Sequence, residues 1–233
     1  MNEPVIYAIG DVHGEADMLH KLHARLFAHH EAHSDGCQML LVHLGDYVDR
    51  GPDSCGVIET VMRLETREDI RVVNLRGNHE QMMIDAYDDP DRFRLQWLMN
   101  GGDATLESYA KRGLEEPSAE HIAWLNALPG LHLEEDRRMA FVHAGLDPNL
   151  FPYCSNEIRL WTRARRFFDT RQWEGSSLEG WSVVHGHTPT HDFQPETDGR
   201  PPQRFNLDTG AVYGGRLTAA IFAPGTAVEF LSV

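Results

Sequence analysis

Short apolar runs alternate with helical spacings along the first third of the chain. The runs at residues 5–9, 39–44 and 70–75 are β-prone, and each ends at a glycine loop. After each loop the apolar residues recur at intervals of three and four, as Leu22 and Leu26 do in the first segment. Three consecutive units of strand, loop and helix predict an α/β protein with a parallel or mixed sheet.

The rest of the pattern predicts one further helical region and a β-rich end. Residues 85–128 have helical spacing interrupted by Gly101, Gly102 and Pro117, which is typical of a helical insertion on the domain. No repeat or long linker divides the chain, so a single domain over residues 1–233 is expected. Residues 156–180 have no clear pattern. The remaining strand candidates are residues 131–133, 139–142, 182–184, 204–207, 217–222 and 228–231.

Length and composition fit an ordinary globular protein. The chain has 233 residues, of which 41% are hydrophobic, enough for a core of its own. No run approaches the 18 or so apolar residues that a membrane helix needs, and the first residues lack the features of a signal peptide. A cytoplasmic location is therefore expected.

Charge and cysteine content exclude several other classes. The formal net charge of -15 argues against a nucleic-acid or membrane partner, because both are anionic. Cys37, Cys55 and Cys154 are widely spaced and form no paired motif, so neither a disulfide framework nor a zinc knuckle is predicted. Nothing in the sequence indicates the oligomeric state, and a monomer is the default expectation.

Polar residues that can bind metal ions follow most of the predicted strands. They offer two carboxylates, three imidazoles and one amide oxygen, without any thiolate, and most are flanked by glycine. This recurrence is unusual for independent loops, and such a donor set suits Mn²⁺, Fe or Zn²⁺. Six ligands are too many for one tetrahedral ion, so two metals that share a carboxylate are predicted. The six residues are Asp11, His13, Asp46, Asn78, His143 and His187.

A pair of such ions suggests hydrolysis. Two metals about 3.5–4 Å apart can deprotonate a water near neutral pH and direct it in line at phosphorus. The sequence therefore predicts a binuclear hydrolase.

Three motifs resemble the signature of a known family. The sequences GDVHG at 10–14, GDYVDRG at 45–51 and GNHE at 77–80 are similar in order and spacing to those of the phosphoprotein phosphatase (PPP) family, within the calcineurin-like metallophosphoesterases. The similarity continues at residues 143–145, 160–163 and 186–189, and residues 206–215 resemble the bacterial and phage branch of serine/threonine phosphatases. The resemblance covers most of the chain.

The resemblance implies a fold and a ligand assignment. The family fold has two mixed β-sheets sandwiched between helices (αββα). Asp11 and His13 would hold one metal and Asp46 would bridge. The second metal would be held by Asn78, His143 and His187. Of the candidate metals, Mn²⁺ is the first expectation, with Fe and Zn²⁺ as alternatives.

The resemblance also implies the catalytic roles. His79 would protonate the leaving oxygen, and Asp49 would orient and charge His79. Arg50 would bind the phosphoryl oxygens as a planar fork. Arg163 would be a second phosphate contact, although three other arginines lie close to it in sequence. These alternatives are Arg159, Arg165 and Arg166.

Three functions follow, in order of preference. The first is hydrolysis of phosphoserine and phosphothreonine esters by a metal-bridging hydroxide, with phosphotyrosine or small phosphoesters as further substrates. The second is symmetrical hydrolysis of dinucleoside polyphosphates, because the Asp-Thr-Gly tail of this chain resembles that of the enzymes that catalyse this reaction. In that branch the position of Asp49 is typically not acidic, which favours the phosphatase. The third is an inactive metal-binding interaction module, against which His79, Asp49 and Arg50 all argue.

Other polar residues are expected to be structural. His185 precedes His187 by two positions and is assigned to structural support. Arg76 either braces the metal loops through an ion pair or is exposed. The histidines on or just beyond the first helix are expected to form a solvated polar face, although the spacing of two of them could bind a metal. They are His20, His23, His29, His30 and His33.

Overall fold

Two sheets form the centre of the protein, which a computed structural model describes over residues 3–34, 36–201 and 203–233. Each sheet has five strands and is mixed. The strands are β1 (Val5–Ile9), β2 (Met39–His43), β3 (Ile70–Asn74), β4 (His132–Glu134), β5 (Met139–Phe141), β6 (Ser182–His185), β7 (Glu196–Asp198), β8 (Arg204–Asn206), β9 (Thr218–Phe222) and β10 (Glu229–Ser232).

Each sheet contains three adjacent parallel strands. The first sheet has the order β10-β9-β1-β2-β3, with β1, β2 and β3 parallel and β9 and β10 antiparallel. The second has the order β4-β5-β6-β8-β7, with β5, β6 and β8 parallel. The carboxyl ends of three parallel strands therefore meet at one edge of each sheet, where α/β proteins bind ligands.

Helices cover the outer faces of the sheets. None in the ranges given above is both long and apolar enough to cross a membrane. They are α1 (Ala16–His33), α2 (Ser54–Glu65), α3 (Asn78–Asp88), α4 (Pro90–Trp97), α5 (Asp103–Ala110), α6 (Ala119–Ala127), α7 (Asn156–Trp161) and α8 (Arg165–Phe168). Asp53 caps α2, accepting a hydrogen bond from the Gly56 N–H at 3.0 Å.

Three hydrophobic clusters define the layers. Along β1, Tyr7 and Ile9 face the cluster shared with α1 and α2, whereas Ile6 and Ala8 face the cluster between the two sheets. This alternation is that of a strand buried on both faces. A third cluster, which includes Phe167, covers the other face of the second sheet. The order helix, sheet, sheet, helix confirms the predicted αββα fold.

The predicted elements differ from the structure in detail. The strand predicted at 228–231 lies one residue later, and β7 was missed because the sequence Glu-Thr-Asp has no apolar alternation. Residues 156–180, which had no clear pattern, form α7, α8 and a 3-10 turn at Thr170–Trp173. These helices are short, so the sequence shows little helical period.

The predicted helical insertion contains α4, α5 and α6. A π-helical turn at Leu98–Gly102 joins α4 to α5, and Gly101 within it has φ +104°, a value that favours glycine. The helix α4 packs on α3, and α5 packs on α2. The single domain of residues 1–233 stays a prediction.

The expectation for the first helix is only partly correct. His20 and His33 are exposed, as predicted. His29 and His30 are half-buried instead, because the Tyr7 hydroxyl lies 3.0 Å from Nδ1 of His29 and 3.3 Å from Nδ1 of His30. The carboxyl-terminal end of α1 is therefore anchored to β1 by polar contacts.

His23 contradicts the expectation of a solvated face. It lies on the same stripe of α1 as Leu19 and Leu26, and this stripe packs on the first sheet. Its Nε2 is 2.9 Å from Nε2 of His43, whose Nδ1 is 2.7 Å from Oδ1 of Asn74. Burial lowers the pKa of His43 to about 4, so the pair is neutral and hydrogen-bonded.

Gly10, after β1 of the first sheet, lies against Leu207, which follows β8 of the second sheet. A Cβ at this position would lie 2.1 Å from the carbonyl oxygen of Leu207, whereas one on Gly130 would meet nothing nearer than 3.5 Å. We expect Gly10→Ala to lower the free energy of unfolding by about 1–3 kcal/mol through overpacking. Gly130→Ala should change it by less than about 0.5 kcal/mol. Urea denaturation measures both, and equal stabilities would contradict the close approach.

Candidate metal centre and active site

The predicted site residues converge where the two sheets meet. Asp11 and His13 follow β1, Asp46 and Asp49 follow β2, and Asn78 and His79 form the first turn of α3 after β3. From the second sheet, His143 follows β5 and His187 follows β6. The parallel strands thus deliver residues that are far apart in sequence to one place.

Asp46 lies between two groups of imidazoles. Its Oδ2 is 3.3 Å from Nε2 of His13, and its Oδ1 is 3.4 Å from Nε2 of His143. Burial opposes its ionisation, yet the surrounding histidines, His143 first, hold its pKa below the usual range. One carboxylate therefore offers a different oxygen to each side.

Backbone carbonyls set the orientation of two histidines. Nδ1 of His13 is 2.9 Å from the carbonyl oxygen of Val48, and Nδ1 of His143 is 3.0 Å from that of Leu44. A carbonyl only accepts, so both imidazoles carry a proton on Nδ1 and direct Nε2 into the site. Burial lowers the pKa of His13 to about 3 and also lowers that of His143, which leaves both Nε2 atoms unprotonated.

Asn78 brings several acceptors into contact. Its Oδ1 is 2.8 Å from Nε2 of His143 and 2.8 Å from Nδ1 of His187. The first of these contacts joins an amide oxygen to an unprotonated nitrogen, an arrangement that is repulsive unless a cation lies between them. Burial lowers the pKa of His187 to about 3, so this ring is neutral too.

Asp11 lies beside the same cluster. Its Oδ2 accepts a hydrogen bond from the backbone N–H of His187 at 3.0 Å. Asp208, which follows β8, is close enough for its negative charge to act on this carboxyl group. Burial, then the carboxylates of Asp208 and Asp46, raise the pKa of Asp11 well above its usual value. A divalent cation would relieve this crowding of negative charge.

The residues present therefore fit divalent metal ions. Two groups have ligand atoms within 4.8 Å of one another: His13, Asp46 and His79, and Asp46, His143 and His187. The buried carboxylates lie among neutral imidazoles, so their charge needs cations. His79 belongs to the first group, but it has a hydrogen-bond partner of its own that gives it a different role.

Asp49 holds His79 by a buried ion pair. Oδ2 of Asp49 accepts from Nδ1 of His79 at 2.7 Å, and both side chains are almost fully buried. Burial favours neutral imidazole, but the carboxylates of Asp46 and Asp49 outweigh it and raise the pKa of His79. A protonated imidazole is a proton donor and cannot be a metal ligand.

Two arginines line a polar cavity above these groups. The guanidinium of Arg50 has one Nη 2.7 Å from Nε2 of His13 and lies over the Tyr213 ring at 5.7 Å. Arg163 is exposed, and its Nη2 lies 3.4 Å from the carbonyl oxygen of His187. The cavity has a volume of about 250 Å³ and is lined by Asp46, Arg50, Asn78, His79, Asn100, Trp161, Arg163, His187, Pro189 and Tyr213.

The alternatives to Arg163 point elsewhere or lie outside this lining. Arg159 donates to the carbonyl of Pro152, and Arg166 pairs with Asp147 at 2.6 Å. Arg165 is not among the residues that line the cavity. The geometry therefore favours Arg163.

His185 and Arg76 both make structural contacts. His185 is buried, with Nε2 3.0 Å from a guanidinium nitrogen of Arg204, in agreement with a supporting role. Arg76 donates to Gln81 at 2.8 Å and to the carbonyl of Asn126. It thus ties α3 to the end of α6, instead of forming the predicted ion pair or being free in solvent.

Glu80 supports the loop that carries Asp46. Its Oε2 accepts from the backbone N–H groups of Asp46 at 2.8 Å and Gly77 at 2.7 Å, and its Oε1 accepts from Tyr47 at 2.7 Å. Burial and the Asp46 carboxylate raise its pKa, whereas the backbone N–H groups, which can only donate, favour the ionised carboxylate. Glu80 is the last residue of the motif at 77–80, but the sequence alone indicates no role for it.

Asp208 was also missed as a site residue. It lies within the quoted 206–215 stretch, directly after a predicted strand that ends near Leu207. The same pattern of strand, acid and glycine that identified Asp11 and Asp46 could have identified it. Burial raises its pKa to about 6, and its Oδ1 accepts from the Gly210 N–H at 3.1 Å.

Backbone strain is concentrated in this site. Positive φ values, which are uncommon outside glycine, occur at five of the predicted site residues. They are His13 (φ 44°), Asp46 (φ 53°), Asp49 (φ 73°), Arg50 (φ 70°) and His187 (φ 69°). Such conformations cost of order 1–3 kcal/mol each and persist only where neighbouring contacts enforce them.

Comparison with known proteins agrees with the fold and the family resemblance. The family described as Calcineurin-like phosphoesterase matches residues 4–215, so the chain belongs to this family, and the resemblance found in the motifs is confirmed. It is 30% identical over 225 residues to serine/threonine-protein phosphatase 1 of Salmonella typhimurium, covering 92% of this chain and 90% of that protein. The chain is therefore a metallophosphoesterase.

Two further similarities extend the comparison. The asymmetrical bis(5'-nucleosyl)-tetraphosphatase PrpE of Halalkalibacterium halodurans is 27% identical over 238 residues, covering 97% of this chain and 92% of that protein. A serine/threonine phosphatase structure from Saccharomyces cerevisiae superposes with a TM-score of 0.60 at 15% identity, covering 100% of this chain and 81% of that one. The second shows the shared fold alone.

Replacing Glu80 tests its support of the loop. In Glu80→Gln, one carboxylate oxygen becomes an NH₂ group that faces backbone N–H donors, so we expect a loss of about 1–3 kcal/mol in the free energy of unfolding. Glu116→Gln, which removes an exposed partner of Arg94, should cost less than about 1 kcal/mol. Urea denaturation compares the two, and equal losses would exclude a special role for Glu80.

Proposed function

We propose that the chain is a phosphomonoesterase that uses two metal ions to hydrolyse phosphoserine and phosphothreonine esters. One observation carries this proposal: His79, with its buried Asp49 partner, lines the same cavity as Asp46, Asn78, His187 and both arginines. A proton donor, a set of metal ligands and phosphate-binding cations thus face one another. The similarity to the Salmonella phosphatase supports the same substrate class.

The ligands divide between two ions. Asp11, His13 and Asp46 would hold the first, and Asp46, Asn78, His143 and His187 would hold the second, with Mn²⁺ as the first expectation and Fe or Zn²⁺ as alternatives. When bound, such ions lower the pKa of a water and offset the charge of phosphoryl oxygens. The oxygens of Asp46 point to both groups, which is what a shared ligand requires.

The chain supplies the proton and the phosphate contacts. His79, protonated and held by Asp49, donates to the leaving alkoxide, which is a poor leaving group without a proton. Arg50 and Arg163 bind the phosphoryl oxygens through charge-assisted hydrogen bonds. An inactive metal-binding module would need none of these, so the presence of the acid, its partner and the arginines favours an enzyme.

A second candidate is asymmetrical hydrolysis of dinucleoside polyphosphates. Trp161 and Tyr213 line the cavity with 41% and 52% of their surface exposed, and exposed aromatic rings can stack on nucleobases. The similar PrpE protein is an asymmetrical enzyme, whereas the sequence tail had suggested symmetrical cleavage. The asymmetrical reaction is therefore the better alternative. A cytoplasmic location and a monomeric state stay predictions.

Asp46 provides a test of the two-metal arrangement. We expect Asp46→Asn to weaken Mn²⁺ binding by more than about 100-fold, because even residues that only support a ligand contribute about 10–100-fold. Titration calorimetry with Mn²⁺ should find two ions bound to the parent protein. Asp147→Asn, at a buried aspartate that pairs with Arg166, is the matched control and should retain both. Two ions with unchanged affinity in Asp46→Asn would refute the shared ligand.

Direct competition decides between the two substrates. With Mn²⁺ present, kcat/KM for a phosphoserine peptide should exceed that for diadenosine tetraphosphate by at least about 10-fold. The reverse order would establish the second candidate. In that case Tyr213→Ala should lower dinucleotide turnover by about 10-fold, given about 1–3 kcal/mol per stacked base. Tyr153→Ala, at a tyrosine that is 90% exposed, is the control outside the cavity.

A further inference from the structure

The helical insertion reaches back to the catalytic loop. Its segment of residues 97–105, here the insertion turn, runs from the end of α4 to the start of α5. The carbonyl of Gly101 accepts a hydrogen bond from the backbone N–H of Arg50 at 3.0 Å, and a Cβ on Gly101 would lie 2.7 Å from Cγ of Arg50. The turn therefore packs tightly against the loop that carries Asp49 and Arg50.

Two side chains of the insertion turn donate to the carboxylate of Asp49. The Trp97 Nε1–H lies 2.9 Å from Oδ1 and 3.1 Å from Oδ2, and the Trp97 ring is fully buried. The Thr105 hydroxyl lies 2.8 Å from Oδ1. Together with His79, three donors surround one buried carboxylate.

The hydroxyl protons in this cluster have only one consistent arrangement. The Asp49 N–H donates to Oγ1 of Thr105 at 2.9 Å and to Oγ of Ser54 at 3.0 Å. The carboxylate of Asp49 can only accept, so the Thr105 hydroxyl donates its proton to Oδ1. The Ser54 hydroxyl then donates to Oγ1 of Thr105 at 3.0 Å. Thr105 thus contacts both the backbone and the carboxylate of Asp49.

These contacts fix the plane of the Asp49 carboxylate. Trp97 spans both oxygens and Thr105 holds Oδ1, which leaves Oδ2 aimed at Nδ1 of His79. Asp49 itself has φ 73°, a conformation that needs such support. Without the two donors the carboxylate could rotate, and His79 would lose its orientation toward the cavity.

We propose that Trp97 and Thr105 are positioning residues for the general acid, so that the helical insertion determines how well His79 protonates the leaving group. The inference rests on the proposed function of His79. It assigns a catalytic consequence to a segment that contains none of the proposed metal ligands. Neither residue lines the cavity, so the effect acts through Asp49.

The leaving group distinguishes this role from a merely structural one. A general acid helps a basic leaving group most and an acidic one least. A variant that disturbs the acid should therefore lose activity increasingly along the series 4-nitrophenyl phosphate, phenyl phosphate and phosphoserine peptide. A variant that only loosens the fold should lose the same factor on all three.

The chain offers matched controls for both substitutions. Trp97→Phe and Thr105→Val each remove one donor to Asp49. Trp124→Phe removes an indole that donates to Glu65 at 3.0 Å, and Thr170→Val removes a hydroxyl that donates to Asp198 at 2.8 Å. Both control carboxylates lie outside the cavity lining. His79→Asn is the reference for complete loss of the acid.

We expect Trp97→Phe and Thr105→Val to lower kcat by about 10-fold or more on the phosphoserine peptide and by less than about 3-fold on 4-nitrophenyl phosphate. The loss on the peptide is a part of the effect of a general acid, which is about 10²- to 10⁴-fold. The controls should be flat along the series, and Mn²⁺ stoichiometry should be two in every variant. If His79→Asn steepens the series but the two variants do not, the inference is wrong. If His79→Asn is itself flat, the proposed role of His79 fails instead.

Discussion

The interaction on which the rest of the site depends is the position of one buried carboxylate between two sets of imidazoles. Asp46 directs Oδ2 to His13 and Oδ1 to His143, so that one carboxylate is shared by both sets. This position requires a strained backbone, and Glu80 enforces it by accepting the N–H groups of the Asp46 loop. Buried carboxylates and neutral, converging acceptors leave a deficit of positive charge that divalent ions fit.

The protein holds its strained residues with hydrogen bonds from distant segments. Glu80 of the third strand–helix unit supports Asp46, whereas Trp97 and Thr105 of the helical insertion support Asp49. The strain is local, but the contacts that offset it come from much of the first half of the chain. A change in either supporting segment would therefore alter the geometry of the reacting groups.

Selectivity among phosphoesters depends on the open side of the cavity. The ligand cluster and His79 are buried, but Trp161, Arg163 and Tyr213 form an exposed rim. A phosphate would contact the interior in the same way whatever it is attached to. The rest of the substrate would contact the rim, and there the flat aromatic surfaces suit a base as well as a peptide.

The sequence by itself determined the class of fold and most of the candidate site. Strand, glycine loop and helix repeated three times, and polar residues recurred at strand ends, because parallel strands must place their carboxyl ends at one edge. Only the tertiary structure decided the roles of Glu80, Asp208, His23, Trp97 and Thr105. Their partners lie on other segments, at Asp46, Asp11, His43 and Asp49, and no local period encodes such contacts. The spacing of the histidines in α1 predicted a solvated face, and this was wrong for His23. Spacing shows on which side of a helix a residue lies, whereas burial depends on what packs against that side.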